Sequence, residues 1–276
     1  MSCDRVVALG DSVTFGVGDI GKNFIGPGWG ARVAHQLDAV KFLNLSNLGA
    51  RIRQLSEGQL PAAIAYRPTI SIISIGGNDI LRSRFNPAEV EYHLEKVVIS
   101  LKIIGSEVVL LKIPDPKKTA PGPRMLREAL SERRYALSEL INRVGAATNT
   151  PIIQVPDEEA KARREIWHID RMHPSAQGHQ LLADKTLSAL GRSAARESIA
   201  TTQYIGRMEA AKWFAAAATM WFVKRSLDLI PTLLWLGIRY RVRQVFKQQL
   251  SKRNSLGYLN PRKNSEDMSL EKRKAA

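Results

Sequence analysis

Cysteine is nearly absent: Cys3 is the only one in 276 residues. That excludes an internal disulfide framework and any metal site built on several thiolates. Long apolar runs are missing too. Those of the C-terminal quarter, 213–223 and 229–238, are 11 and 10 residues long, well short of the roughly 20 that span a bilayer as a helix. Residues 1–12 reach a polar turn by residue 10 without the apolar stretch of a secretory signal, so the expected location is cytoplasmic. Negative charge is also scarce, with 26 Asp+Glu against 41 Lys+Arg and a net charge of +15. The remainder, 44% hydrophobic and 24% charged, is the make-up of a globular chain and not of a disordered or collagen-like one.

The excess charge is uneven. Residues 201–276 carry 15 Lys+Arg and 5 Asp+Glu, a net +10, whereas residues 1–200 carry 26 and 21, a net +5. A nearly balanced body therefore precedes a basic tail. Within the body, short β-branched runs recur at 6–9, 42–45, 70–75, 108–113 and 152–155. Most are apolar on successive residues instead of alternating, which suits strands covered on both faces, as in a parallel sheet between helices. Helix-like segments separate them near 29–39, 51–66, 87–104 and 123–147, with a last one at 175–190. Asn86-Pro87 is a good start signal for the third, Asn as cap and Pro at the first helical position. The alternation predicts a doubly wound α/β domain over 1–192. A basic helical extension over 193–253 and a disordered tail over 254–276 would complete the chain.

In such sheets ligands bind outside the carboxyl ends of the strands. The segments that follow the strands are Gly10-Asp11-Ser12, Asn47-Leu48-Gly49, Gly76-Gly77-Asn78-Asp79 and the stretch from Trp167 to Pro174. Ser12 offers a hydroxyl that a neighbouring base must activate. His173 is the candidate base, and Asp170, three residues before it, can orient its ring. The backbone N–H groups of Ser12 and Gly49, with the Asn78 amide, are candidate donors to an oxyanion. Asp11 and Asp79 flank these residues and read as loop hydrogen-bonding groups. His168 stands close enough to His173 to compete with it for the base role. A metal site on His168, Asp170 and His173 lacks a fourth ligand and regular spacing.

These four segments, in this order, resemble the blocks of the SGNH (GDSL-type) hydrolases, as do the stretches 27–32 and 173–179. The resemblance covers about residues 4–191. It implies a three-layer, flavodoxin-like α/β/α fold with about five parallel strands. It also implies hydrolysis of a small-molecule or lipid ester through an acyl-enzyme, with no metal or organic cofactor. By position, Ser12 would be the nucleophile, His173 the base and Asp170 its orienting partner. Ser12, Gly49 and Asn78 would form the oxyanion hole. Acyl transfer to an acceptor other than water is an alternative within the same chemistry.

Gly16-Val17-Gly18-Asp19-Ile20-Gly21 fits a dinucleotide fingerprint in letters alone. Strand 1 ends six residues too early for it, and no helix can open directly after Gly21. There is also no G-x-S-x-G elbow. The tail has two readings of equal standing. Aromatic, apolar segments followed by Arg239, Arg241, Arg243, Lys247, Lys252 and Arg253 suit an anionic membrane surface, contacted through 201–253. They equally suit helices packed on the body or on a second subunit. A basic adaptor for anionic surfaces is thus the rival function. Nucleic acid is the weaker partner, since no recognisable module accompanies the charge.

Overall fold

The computed structural model describes residues 4–115, 124–201 and 230–257. Five parallel strands, β1 (Arg5–Gly10), β2 (Lys41–Asn44), β3 (Ile70–Ser74), β4 (Glu107–Lys112) and β5 (Ile152–Gln154), form one sheet in the order β2-β1-β3-β4-β5. Each predicted strand is present. The chain leaves β1 for one edge of the sheet and returns to build β3 on the other side. β1 and β3 run in step from Val6 opposite Ile70 to Gly10 opposite Ser74. Their two following loops therefore emerge side by side at the switch point, where open α/β sheets place ligands.

The helices are α1 (Ser12–Phe15), α2 (Gly28–Gln36), α3 (Ile52–Gln54), α4 (Leu60–Tyr66), α5 (Gly77–Ile80), α6 (Pro87–Ile103), α7 (Arg124–Thr148), α8 (Asp157–Ala162), α9 (Ala176–Ala189) and α10 (Ile230–Gly257). A π-type turn, Leu55–Gln59, joins α3 to α4. The segment expected as one helix over 51–66 is therefore three short pieces. The start of α6 follows the sequence signal, with the Asn86 side chain accepting from the Ala88 and Glu89 N–H groups.

Successive strand residues bury on opposite sides of the sheet, so the apolar runs carry no alternation. Val7, Leu9, Ile73, Val108 and Leu110 pack with Leu94, Val97 and Leu101 of α6 and Leu137 and Ile141 of α7. Val6, Ala8, Ile70, Ile72 and Val109 pack with Trp29 and Val33 of α2 and Leu182 and Leu187 of α9. Each such aliphatic side chain, fully buried, contributes about 1.5–3 kcal/mol. The result is the three-layer α/β/α arrangement.

Among the described residues, one ion pair lies wholly inside this body. Arg32 of α2 grips Asp19 with two nitrogens at 2.6 and 2.9 Å, and both side chains are 0% exposed. Asp19 also accepts the Ile20 and Gly28 N–H groups, fixing the loop between α1 and α2. The remaining Arg32 nitrogen donates to Gln180 of α9 and to the Ile199 carbonyl. The Ala195 N–H donates to the Gln36 carbonyl, and Arg196 pairs with Asp38. Residues 195–200, assigned to the extension from sequence, are thus held against α2.

Beyond that point, α10 lies on α7, where Tyr240, Leu126 and the body residue Leu81 pack against Ala129 and Leu130. The disorder expected from residue 254 does not hold for 254–257, which continue α10. Residues 258–276 and the apolar run 213–223 lie outside the described residues. Among the described residues, no helix is long and apolar enough to cross a membrane.

Removing one partner of a buried pair strands the other charge, at a cost of about 3–5 kcal/mol. Arg32→Met is therefore expected to lower unfolding free energy by about that amount in urea titration. A loss under 1 kcal/mol would show that the Asp19 carboxylate needs no guanidinium.

Candidate active site

Gly10 ends β1 at a point that only glycine fits. Its φ is +142°, and a Cβ there would lie 2.0 Å from the Ser74 carbonyl oxygen. Gln59, brought in by the π-type turn, clamps Gly10 from the side. Its amide accepts the Gly10 N–H at 2.8 Å and donates to the Gly10 carbonyl at 2.9 Å, both buried. The chain then turns sharply into α1, whose cap is Asp11, accepting the Val13 N–H at 3.1 Å. Ser12 follows at the rim of the sheet.

The opposing residue comes from a tight loop ahead of α9. His168 N–H donates to the His173 carbonyl and Ser175 N–H to the Ile166 carbonyl, both at 2.9 Å, so Trp167 and Pro174 pair as a short antiparallel bridge. Inside this loop one Asp170 oxygen accepts the Met172 and His173 N–H groups at 2.9 and 3.0 Å. The other lies 2.7 Å from His173 Nδ1. That pairing puts a proton on Nδ1 and leaves Nε2 as an acceptor. Ser12 Oγ lies 2.8 Å from Nε2, across 161 positions of sequence. Serine, histidine and aspartate form one unbroken chain of hydrogen bonds.

Asp170 has a second imidazole beside it. His168 Nδ1 lies 3.5 Å from the same oxygen that meets His173, and its ring sits 5.2 Å from the Phe24 ring, tilted by 58°. His168 thus flanks the carboxylate, whereas His173 reaches Ser12. Burial alone would raise the Asp170 pKa. The hydrogen bonds from His168 and His173, the His173 charge and the Met172 N–H outweigh it and hold the carboxyl well below its ordinary range.

Asn78 and Gly49 approach from β3 and β2. The Asn78 amide donates to the Ala50 carbonyl at 3.1 Å and lies 3.5 Å from Asp11 Oδ2. Gly49 precedes Ala50 in a turn closed by Ala50 N–H on the Asn47 carbonyl, and Asn47 N–H in turn donates to Gly10. The loops after β1, β2 and β3 are thus tied together, and Asp79 adds a bond from Ile52 N–H at 3.2 Å.

Asp11 and Asp79 have the opposite electrostatics to Asp170. Burial pushes each up to about 6, against the Val13 N–H and His173 charge at Asp11 and the Ile52 N–H at Asp79. His179 of α9, donating to the Val17 carbonyl at 3.0 Å, is pushed by burial down to about 4 and is neutral at pH 7. Gln59, Arg32 and Asp19 were not singled out by sequence reasoning. A polar residue in a helical run or a loop carries no sign that it will be buried.

Residues 8–181, well over half the chain, match the model of the GDSL-like lipase/acylhydrolase family. The chain belongs to this family. It is a GDSL-type ester hydrolase. The same fold occurs in a catalytic mutant of Axe2, an acetylxylan esterase from Geobacillus stearothermophilus, with TM-score 0.55 and 21% identity over 70% of this chain and 97% of that one. It occurs in LAE5, an alpha/beta hydrolase enzyme from the metagenome of Lake Arreo, Spain, with TM-score 0.54 and 23% identity over 68% and 95%. TesA gives TM-score 0.53 and 23% identity over 67% and 97%. Comparison with curated proteins gives no match.

The raised carboxyls make stability depend on pH. A carboxyl whose pKa is higher folded than unfolded favours the fold below about pH 4, and the contribution is lost as pH rises through about 6. Asp79→Asn keeps an acceptor for Ile52 N–H but cannot ionise. Its unfolding free energy should gain about 1–3 kcal/mol relative to the parent between about pH 4 and pH 7. A difference that stays constant across that range would contradict a raised Asp79.

Proposed function

We propose that this GDSL-type hydrolase cleaves carboxylic esters through a covalent acyl-enzyme on Ser12. The reading is carried by the hydrogen-bond chain Ser12–His173–Asp170, with links of 2.8 and 2.7 Å. Ser12 Oγ attacks the ester carbonyl carbon while its proton passes to His173 Nε2. Asp170 keeps the ring in the tautomer that can accept that proton and stabilises the imidazolium that results. The low basicity of its carboxyl keeps it ionised through the cycle.

The carbonyl oxygen, now an oxyanion, takes hydrogen bonds from the Ser12 and Gly49 N–H groups and from Asn78 Nδ2. The Ala50 carbonyl holds one Nδ2 hydrogen and so sets the plane of the amide. The second hydrogen is held only loosely by Asp11 at 3.5 Å and is available to the oxyanion. Collapse of the tetrahedral intermediate breaks the ester C–O bond, and His173 gives its proton to the departing alcohol. Water then attacks the acyl-enzyme with His173 again as base, restoring Ser12. Leu48, Ile169 and Met172, large apolar side chains exposed beside Gly49 and Asp170, offer an apolar surface to the ester. They favour substrates with an aliphatic portion, lipid esters among them.

Ser12→Ala should reduce hydrolysis of a short p-nitrophenyl ester to background, and His173→Ala should do comparable damage. A Ser12→Ala protein that keeps the parent rate would overturn the proposal. Asn78→Ala should lower kcat by about 10²–10³-fold with KM little changed, the signature of a donor used only in the transition state. A change confined to KM would remove Asn78 from the oxyanion hole.

A further inference from the structure

The helix α10 has two faces of different character. Gly237 is buried against α7, where an added Cβ would lie 2.9 Å from the Met125 Cε, so glycine lets the two helices approach closely. Tyr240, three residues on, belongs to the same seam and packs against Ala129 and Leu130 of α7. Leu234, Trp235, Ile238, Val242, Val245 and Phe246 are instead 45–63% exposed. At 100° per residue these six fall on a single arc of about 120°, opposite the α7 seam. An apolar stripe this continuous on a soluble face marks a binding surface.

What would cover it follows from the charges. Residues 230–257 contain Arg239, Arg241, Arg243, Lys247, Lys252 and Arg253 and no acidic residue. Arg239 and Arg241 fall at the two borders of the arc, and the Arg239 guanidinium sits 4.9 Å above the Trp235 ring. A second copy seated on this stripe would bring like charges together along the whole helix. A bilayer with anionic headgroups meets both demands at once, taking the apolar arc into the acyl boundary and the arginines to the phosphates. The helix is too short of apolar residues to span, so it lies in the surface plane.

We propose that the exposed face of α10 docks the protein on an anionic lipid bilayer. The proposal stands independently of the catalytic reading.

The test uses the full chain and co-sedimentation with vesicles of phosphatidylcholine alone or with about one third phosphatidylglycerol. The parent should sediment with the anionic vesicles and not with phosphatidylcholine alone, and added salt should weaken binding. Ile238→Asp with Phe246→Asp, and separately Arg239→Glu with Arg241→Glu, should each weaken binding about tenfold or more. Both should leave hydrolysis of a soluble ester and the far-ultraviolet circular dichroism unchanged. The two variants attack the surface by different chemistry, so either one reads it if the other fails to fold. Failure of the parent to bind anionic vesicles, equal binding to both lipids, or full binding by the folded apolar-face variant would overturn the proposal. So would a parent dimer that this variant converts to monomer in light scattering, since a second copy would then be the occupant.

Discussion

Everything the site can do depends on one hydrogen bond, between the Ser12 hydroxyl and Nε2 of His173. The two residues are at opposite ends of the body in sequence, and neither is held by the other. Ser12 is placed by β1, by a glycine that admits the Ser74 carbonyl and by the Gln59 clamp. His173 is placed by the bridge between Trp167 and Pro174 and by the two backbone bonds into Asp170. The loop between α1 and α2 lies between the two sides. It is anchored through Asp19 to Arg32 and through the Val17 carbonyl to His179 of α9. Preorganisation here is the sum of these separate anchors, so the reacting groups meet without any ordering at the moment of reaction.

Three aspartates within this one crevice show how environment decides charge. Asp170 accepts donors from two backbone groups and two imidazoles and is held strongly acidic. Asp11 and Asp79 lose water without comparable compensation and are pushed up to about 6. In the proposed mechanism, the group that must stay ionised to support an imidazolium is the one most richly donated to. The groups that cap helix and loop backbone tolerate protonation, since a neutral carboxyl still accepts an N–H.

The legible part of the molecule was whatever burial on two faces or turn chemistry imposes locally. A continuous apolar run such as 6–9 suits a strand covered on both sides, and Asn86-Pro87 is a good helix start. The strand-end segments stood out because polar and glycine residues directly after such runs have no core to join. Gln59, Asp19, Arg32 and His179 gave no such signal, because their burial depends on partners up to 168 positions away. The π-type turn over Leu55–Gln59 was hidden for a related reason: its apolar spacing is that of an ordinary helix, and only the Gly10 clamp shows its purpose. In the tail, sequence left membrane and packing as rival readings. The structure assigns packing to one side of α10 and leaves the opposite side open.

The most direct test of the catalytic account is intact-mass and peptide analysis after reaction with a fluorophosphonate, which traps activated serines. The account predicts one adduct per chain, on the peptide containing Ser12, absent when His173 is replaced by alanine. Loss of ester hydrolysis should track its formation one for one. An adduct on a different residue, or full hydrolysis by protein already carrying the Ser12 adduct, would contradict it.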